Sequence, residues 1–168
     1  MEQRRTIRKW FWVWDFEKEE RWLNAMAQSG WALDGVGLCT YHFVSCDPGE
    51  YAVRLEMRRY DPEYIEFTRE TGAEYVGRIF MWVFFRKKSS EGAFDLFSDI
   101  DSKVAHLTRI GRVLTAVGLL NLGIGLINTI SPSRAGWVNL LCAALLMYAL
   151  GRIHGKKESL ENDRLLHE

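Results

Sequence analysis

The sequence predicts an α+β fold: a duplicated βαβ-βαβ ferredoxin-like sandwich followed by a two-helix transmembrane hairpin. Three observations predict it. The first half of the 168-residue chain alternates between β-rich and amphipathic helical segments. That half also matches itself at an offset of forty-two residues. Beyond Arg112, charge disappears from two long apolar runs.

The first repeat spans about 8–44. Residues 8–14, "RKWFWVW", are aromatic and β-branched, as a strand requires. On a strand, Trp10, Trp12 and Trp14 share one face, and Phe11 and Val13 the other. Asp15 is placed to cap a helix, and Glu17, Glu19 and Glu20 fall in its first turns, where carboxylates favour the positive end of the helix dipole. Phe16, Leu23, Met26 and Ala27 supply the apolar stripe, and Gly30 stops the helix. Residues 31–44 are expected as one strand, bent near Gly35 and Gly37.

The second repeat spans about 50–86. Gly30 falls on Gly72, Gly35 on Gly77 and Phe43 on Phe85 at the same offset. Tyr51, Val53, Leu55 and Met57 alternate with charged residues along an expected strand over 50–60. Asp61-Pro62 opens a helix with proline at its first position, and Gly72 ends it. Residues 75–88 form the expected fourth strand. The turn "CDPGE" between the repeats predicts a hairpin of the second and third strands.

Two tandem βαβ units describe a four-stranded antiparallel sheet with two helices on one face. Both faces of the first strand are apolar, and Phe80, Trp82 and Phe84 alternate with Ile79, Met81, Val83 and Phe85 on the fourth. The second sheet face therefore needs a cover: a second protomer, a protein partner, the segment from Phe94 onward, or a hydrophobic ligand. Trp10, Trp12, Trp14, Phe80, Trp82 and Phe84 are the candidate binding surface.

A connector over 93–112 leads from the cytosolic domain, residues 1–92, to the hairpin, residues 113–150. Ser98, Asp99 and Asp101 mark a helix start, and Ile100, Val104, Leu107 and Ile110 continue at helical spacing. Residues 113–130 and 135–150 carry no charge and are joined by "SPSR". As helices they measure about 27 and 24 Å, close to the roughly 30 Å bilayer core. A buried hairpin of a soluble domain is the alternative. Basic residues Lys103, Arg109 and Arg112 precede the first span, and Arg152, Lys156 and Lys157 follow the second. The positive-inside rule then places both termini, the domain and the polar tail 151–168 in the cytosol. Gly111, Thr115, Gly118, Asn121, Gly125 and Asn128 lie on one face of the first span; Asn139, Cys142, Ala143 and Leu146 begin a stripe on the second. Such seams let membrane helices approach and hydrogen-bond. Gly118, Asn121, Gly125, Asn128, Asn139 and Ala143 are the expected helix contact, either closing the hairpin or joining an oligomer.

Composition excludes several functions. Residues 1–112 hold 17 basic and 18 acidic side chains, too balanced for nucleic-acid binding. Cys39, His42 and Cys46 are soft donors, but on a strand the first two point to opposite faces and no second cysteine pair completes a site. No metal or cofactor is expected. The N-terminus lacks a secretory signal. Glu17, Glu19 and Glu20 suit a helix start better than an acid–base pair, "GVG" at 35–37 lacks dinucleotide-binding context, and no histidine lies near Ser131 or Ser133. An enzyme is not expected.

The blocks "EKEERWLNAMAQSGWAL", "EYVG…FFRKK" and "LFSDIDSKVAHLTRI" resemble, in order, a bacterial family known as domain of unknown function 2812. The resemblance covers about 14–112. It implies a small bacterial membrane protein, commonly with a hydrophobic hairpin and often encoded beside a PadR-like transcriptional repressor, in a regulatory or envelope-stress setting. It brings no catalytic residues, and Ala73 stands where the family commonly has a tryptophan. The expected function is a membrane-tethered cytosolic regulatory or interaction module, self-associating or binding another protein. The alternative is a ligand- or lipid-binding sensor, or an accessory subunit of a membrane exporter.

Overall fold

The computed structural model describes residues 3–97, 99–130 and 136–167, with side chains to Arg164 at the C-terminal end. It divides into two compact units, Met1–Leu96 and Phe97–Glu168. The first contains β1 (Arg4–Arg8), α1 (Phe16–Gln28), β2 (Trp31–Gly37), β3 (Thr40–Ser45), β4 (Tyr51–Met57), α2 (Pro62–Glu70), β5 (Ala73–Ile79) and β6 (Trp82–Lys88). The second contains α3 (Ile100–Ile130) and α4 (Gly136–His167).

The fold is α+β, with two antiparallel three-stranded sheets, ordered β1-β3-β2 and β4-β6-β5. Each half is thus βαββ rather than βαβ, and the expected four-stranded sheet is not formed. The segments expected as single strands, 31–44 and 75–88, are each a hairpin. Their two-residue turns, Leu38-Cys39 and Phe80-Met81, lack the Asn-Gly or Asp-Gly signal that marks such turns. Instead Cys39 and Phe80 adopt φ of 54° and 52°. The turn at 46–50 does not join two paired strands either. Its amides bond back to the end of α1, Gly49 N–H to Ala27 O at 2.9 Å and Cys46 N–H to Gly30 O at 3.0 Å. The chain thereby crosses from one sheet to the other.

β2 begins at Trp31 and β5 at Ala73, forty-two residues apart. β2 and β5 occupy equivalent positions, each bulged against its neighbour, at Leu33/Gly35 and Tyr75/Gly77. Gly30 and Gly72 both end a helix with φ near 84° and 88°, the left-handed conformation glycine adopts without a Cβ penalty. Asp61 caps α2 through the amides of Glu63 and Tyr64. Asp15 stands at the start of α1 but pairs with Lys18 at 2.8 Å and makes no side-chain cap bond.

β1 departs from the offset. It covers Arg4–Arg8, so residues 10–14 are not a strand as expected. Its partner β3 begins at Thr40, opposite Arg8, and the ladder ends with Lys9 N–H to Cys39 O at 3.1 Å. Beyond that point β3 offers no further ladder position to the segment that carries the tryptophans.

The core holds Leu23 and Ala27 of α1, Leu33 and Phe43 of the first sheet, and Val53, Leu55 and Phe84 of the second, all essentially inaccessible. The opposite face of the second sheet carries Ala73, Val83 and Phe85. It is covered by Tyr64 and Ile65 of α2 and by Phe94 and Leu96. Of the expected covers, the chain's own segment from Phe94 occupies this face.

The two halves are joined through a strand edge. β4 is the outer strand of its sheet, and its free backbone groups are met by α1. Asn24 Nδ2 donates to Val53 O at 3.0 Å, and Val53 N–H donates to Asn24 Oδ1 at 2.9 Å. Leu55 N–H donates to Glu20 Oε2 at 3.3 Å. Helix side chains thus take the place of a missing strand. At the other seam, Arg86 of β6 donates to Leu33 O at 2.8 Å and to Glu74 at 2.7 Å, and stands 3.7 Å from Asp34.

In the second unit, α3 and α4 pack side by side. Both are long and apolar enough to cross a membrane. Asp99 caps α3 by accepting from Ser102 N–H at 2.7 Å. The 31 and 32 residues of the helices extend about 46 and 48 Å, well beyond a bilayer core of roughly 30 Å. The expected polar tail is therefore helix, and Arg164 pairs with Asp101 at 3.0 Å. The connecting "SPSR" lies outside the described residues.

Removing the Asn24 amide leaves the Val53 N–H of β4 without its partner, while Val53 O keeps Arg54 Nη1 at 2.9 Å. Asn24→Ala should destabilise the full chain in detergent by about 1–3 kcal/mol, read from urea unfolding by tryptophan fluorescence. Asn24→Asp should also destabilise, because a second oxygen would face Val53 O. An Asn24→Ala midpoint equal to that of the parent chain would show that α1 does not serve this edge.

Candidate functional site

The aromatic run after β1 is organised by one inward residue. Phe11 packs on Trp22 of α1 and Tyr41 of β3, at centroid distances of 5.6 and 6.3 Å. Trp22 in turn packs on Tyr41 and Phe43 at 5.0 and 5.8 Å. Lys9 Nζ lies over the Phe11 and Trp22 rings at 5.0 and 4.5 Å, where the negative ring faces attract a cation. With Phe11 turned in, its neighbours Trp10 and Trp12 turn out and are 60% and 42% exposed.

The three indoles, exposed at Trp10 and Trp12 and half-buried at Trp14, form a continuous ladder. Trp10 meets Trp12 edge-on at 5.5 Å and 84°. Trp12 stacks on Trp14 at 4.9 Å and 7°. A single 3₁₀ turn at Val13–Asp15, closed by Asp15 N–H to Trp12 O at 2.8 Å, brings the last two rings together. Aromatic side chains held by one another present apolar area at low entropic cost. Beside them, Arg8, Lys9, Trp10, Leu38, Cys39 and Thr40 line a shallow cleft of about 480 Å³.

The remaining sequence-predicted residues are dispersed. Trp82 is half-buried against Phe16 of α1 at 5.5 Å. Phe80 is 82% exposed at the tip of the β5–β6 turn. Phe84 is in the core and offers no surface. The expected aromatic sheet face is thus replaced by a ladder outside the sheets. Exposed Leu38, at the equivalent β2–β3 tip, was not among the expected residues, since nothing in "GVGLCT" marks a turn.

In the second unit, Gly118 and Ala143 are buried, a Cβ on Gly118 would touch Leu146, and Gly125 lies against Leu140. Asn139 Nδ2 donates to Asn121 Oδ1 at 3.3 Å, and Asn128 is half-buried. Cys39 sits in a turn, and His42 of β3 bonds Thr6 at 3.0 Å. Among the described residues no three His, Cys, Asp or Glu side chains converge as metal ligands would.

Polar groups lie beneath the ladder. Tyr41 donates to Glu19 Oε1 at 2.6 Å. Burial pushes the Glu19 carboxyl above the usual carboxylate range, and the Tyr41 bond only partly offsets this. Burial also raises Glu20, opposed by Arg54. On the second sheet, Tyr64 donates to the buried Glu56 at 2.8 Å, while Arg58 lies 3.6 Å above its ring and 3.5 Å from Glu56. Burial and then the Glu56 charge push the Tyr64 hydroxyl up to about 12. These pairs are internal supports, each held by its neighbours.

The raised carboxyl gives a pH dependence with a definite sign. Just above the ordinary value of 4.5, the native state holds more protons than the unfolded chain, so stability falls as pH rises through the folded value. Glu19→Gln keeps an acceptor for Tyr41 and removes the titration. From pH 4.5 to 8, the parent chain should lose stability relative to this variant, measured by urea midpoints. A constant difference across the range contradicts the assignment.

The family described as "Protein of unknown function (DUF2812)" matches residues 15–119, more than half of the 168-residue chain, and the protein belongs to that family. The match begins at Asp15, just after the tryptophan ladder. No curated protein and no solved structure matches the chain.

Proposed function

We propose that this DUF2812 protein is a membrane-tethered interaction module that docks another protein chain, a second copy or a different partner, on the ladder of Trp10, Trp12 and Trp14. The exposure of Trp10 and Trp12 beside a fully packed core carries this reading. Contiguous exposed aromatics mark interaction sites, and tryptophan is enriched among residues that dominate binding energy. Arg4, Arg5 and Arg8 on the outer strand β1 supply a basic rim. Equivalent positions of β2 and β5, with matching bulges, support reading the two βαββ halves as an internal duplication. The ladder belongs to the stretch where the halves differ.

In this reading α3 and α4 cross the bilayer as a hairpin. Lys103, Arg109, Arg112, Arg152, Lys156 and Lys157 flank the apolar segments on one side, and by the positive-inside rule this supports a cytosolic domain and cytosolic ends of the chain. A ligand-sensing role is the second reading, favoured by the cleft beside Trp10, whose Arg8 and Lys9 suit an anionic molecule.

Chemical crosslinking in native membranes followed by mass spectrometry tests the first reading. A defined crosslinked protein should be captured by the parent chain. Trp12→Ala should weaken capture about thirtyfold or more, the loss of a dominant interface residue, with the unfolding midpoint unchanged. Equal capture by Trp12→Ala would remove the ladder as the docking surface. Retention of a small molecule in place of a protein would favour the cleft.

A further inference from the structure

The α3–α4 hairpin carries a groove that its helix contact does not use. The groove has a volume of about 800 Å³, within the range of pockets that hold small-molecule ligands. Its wall is apolar along Thr115, Ala116, Leu119, Met147 and Leu150, and its mouth holds Arg112, His154 and Lys157. Among the described residues no carboxylate lines it. Two glycines, Gly111 and Gly151, leave it open, and a Cβ built on Gly151 would meet no atom within 4 Å.

Two of the three basic side chains at the mouth are unspent. Among the described residues, Arg112 and His154 have no ion pair or side-chain hydrogen bond. Lys157 has one acidic neighbour, Glu161, one helical turn further from the apolar wall, at 3.6 Å. Arg112 is the last charge before the apolar run of α3, and seven residues separate it from Leu119. That is about 10 Å along the helix, against about 15 Å for one leaflet of the bilayer core. A phosphate beside Arg112 thus has an acyl chain running down the apolar wall.

We propose that this groove is a headgroup-selective site for an anionic phospholipid. Arg112 and Lys157 engage the phosphate, the guanidinium by paired N–H donors, and one acyl chain lies along Ala116, Leu119 and Met147. A zwitterionic headgroup brings its own ammonium into a mouth that already holds two cations, and is disfavoured. Basic sites between membrane helices on the cytosolic side are suited to such lipids. The site rests on the reading of α3 and α4 as membrane-spanning. It is separate from the tryptophan ladder and independent of what docks there.

The test uses the full chain. Flotation of native membranes after an alkaline wash establishes whether the chain is integral. The detergent-purified chain is then offered equal phosphatidylglycerol and phosphatidylcholine, and retained lipid is counted by native mass spectrometry. The account predicts flotation and about tenfold or greater preference for phosphatidylglycerol, the scale expected of two interfacial cations. Arg112→Gln with Lys157→Gln should erase the preference. Arg152→Gln, outside the groove, should keep it. Gly151→Leu, which fills open space, should lower retention of both lipids. A chain that washes off the membrane overturns the membrane reading and the site with it. A chain that floats but retains the two lipids equally overturns the site alone, as does displacement of phosphatidylglycerol by inorganic phosphate.

Discussion

The outer edge of β4 governs the soluble unit. A strand edge in the interior carries amides and carbonyls that must find partners. Here no strand is available, and α1 supplies Asn24 and Glu20 instead. Each buried group left unpaired costs about 1–3 kcal/mol, so the helix is tied to this edge and to no other register along it. Because α1 belongs to the first half and β4 to the second, one set of bonds joins the halves. It also fixes where Trp22 and Phe16 stand. Trp22 then receives Phe11, Phe16 receives Trp82, and Trp10 and Trp12, on either side of Phe11, are turned outward.

That chain of consequences explains why an aromatic stretch can be exposed without strain on the fold. The ladder is not a defect of packing, since the core behind it is closed by Leu23, Leu33 and Phe43. Nor is the neighbouring edge free to aggregate: β1 carries Arg4, Arg5 and Arg8, and like charges oppose pairing with its own copy. A partner for the ladder therefore meets apolar rings bordered by cations. The hairpin helices repeat the combination in another form, an apolar groove with cations at its mouth.

Much of the architecture was legible in the sequence. The helix starts at Asp61 and Asp99, the stops at Gly30 and Gly72 and the long apolar helices all rest on local chemistry that a sequence displays. The hairpins did not, because Cys39 and Phe80 take left-handed backbone conformations without glycine or asparagine to announce them. Two strands with a tight turn then look like one long strand. The separation of the sheets followed from that, since six strands allow pairings that four do not. The alternation of the tryptophans reads equally as a strand; the end of the β1–β3 ladder at Thr40 decides otherwise. Alternation alone puts Phe84 on a face without saying whether that face is buried, and here it is in the core. Asn24 gave no signal at all, as an asparagine within a helix has no mark of a distant strand edge.

The central claim is that a chain covers the ladder when the protein is in its own membrane. Amide hydrogen exchange, compared between native membrane vesicles and the detergent-purified chain, tests it most directly. The account predicts that residues 10–14 exchange more slowly in the vesicles, while the β4 amides of Val53 and Leu55, already bonded to α1, are protected equally in both. Equal exchange of residues 10–14 in the two preparations would contradict it.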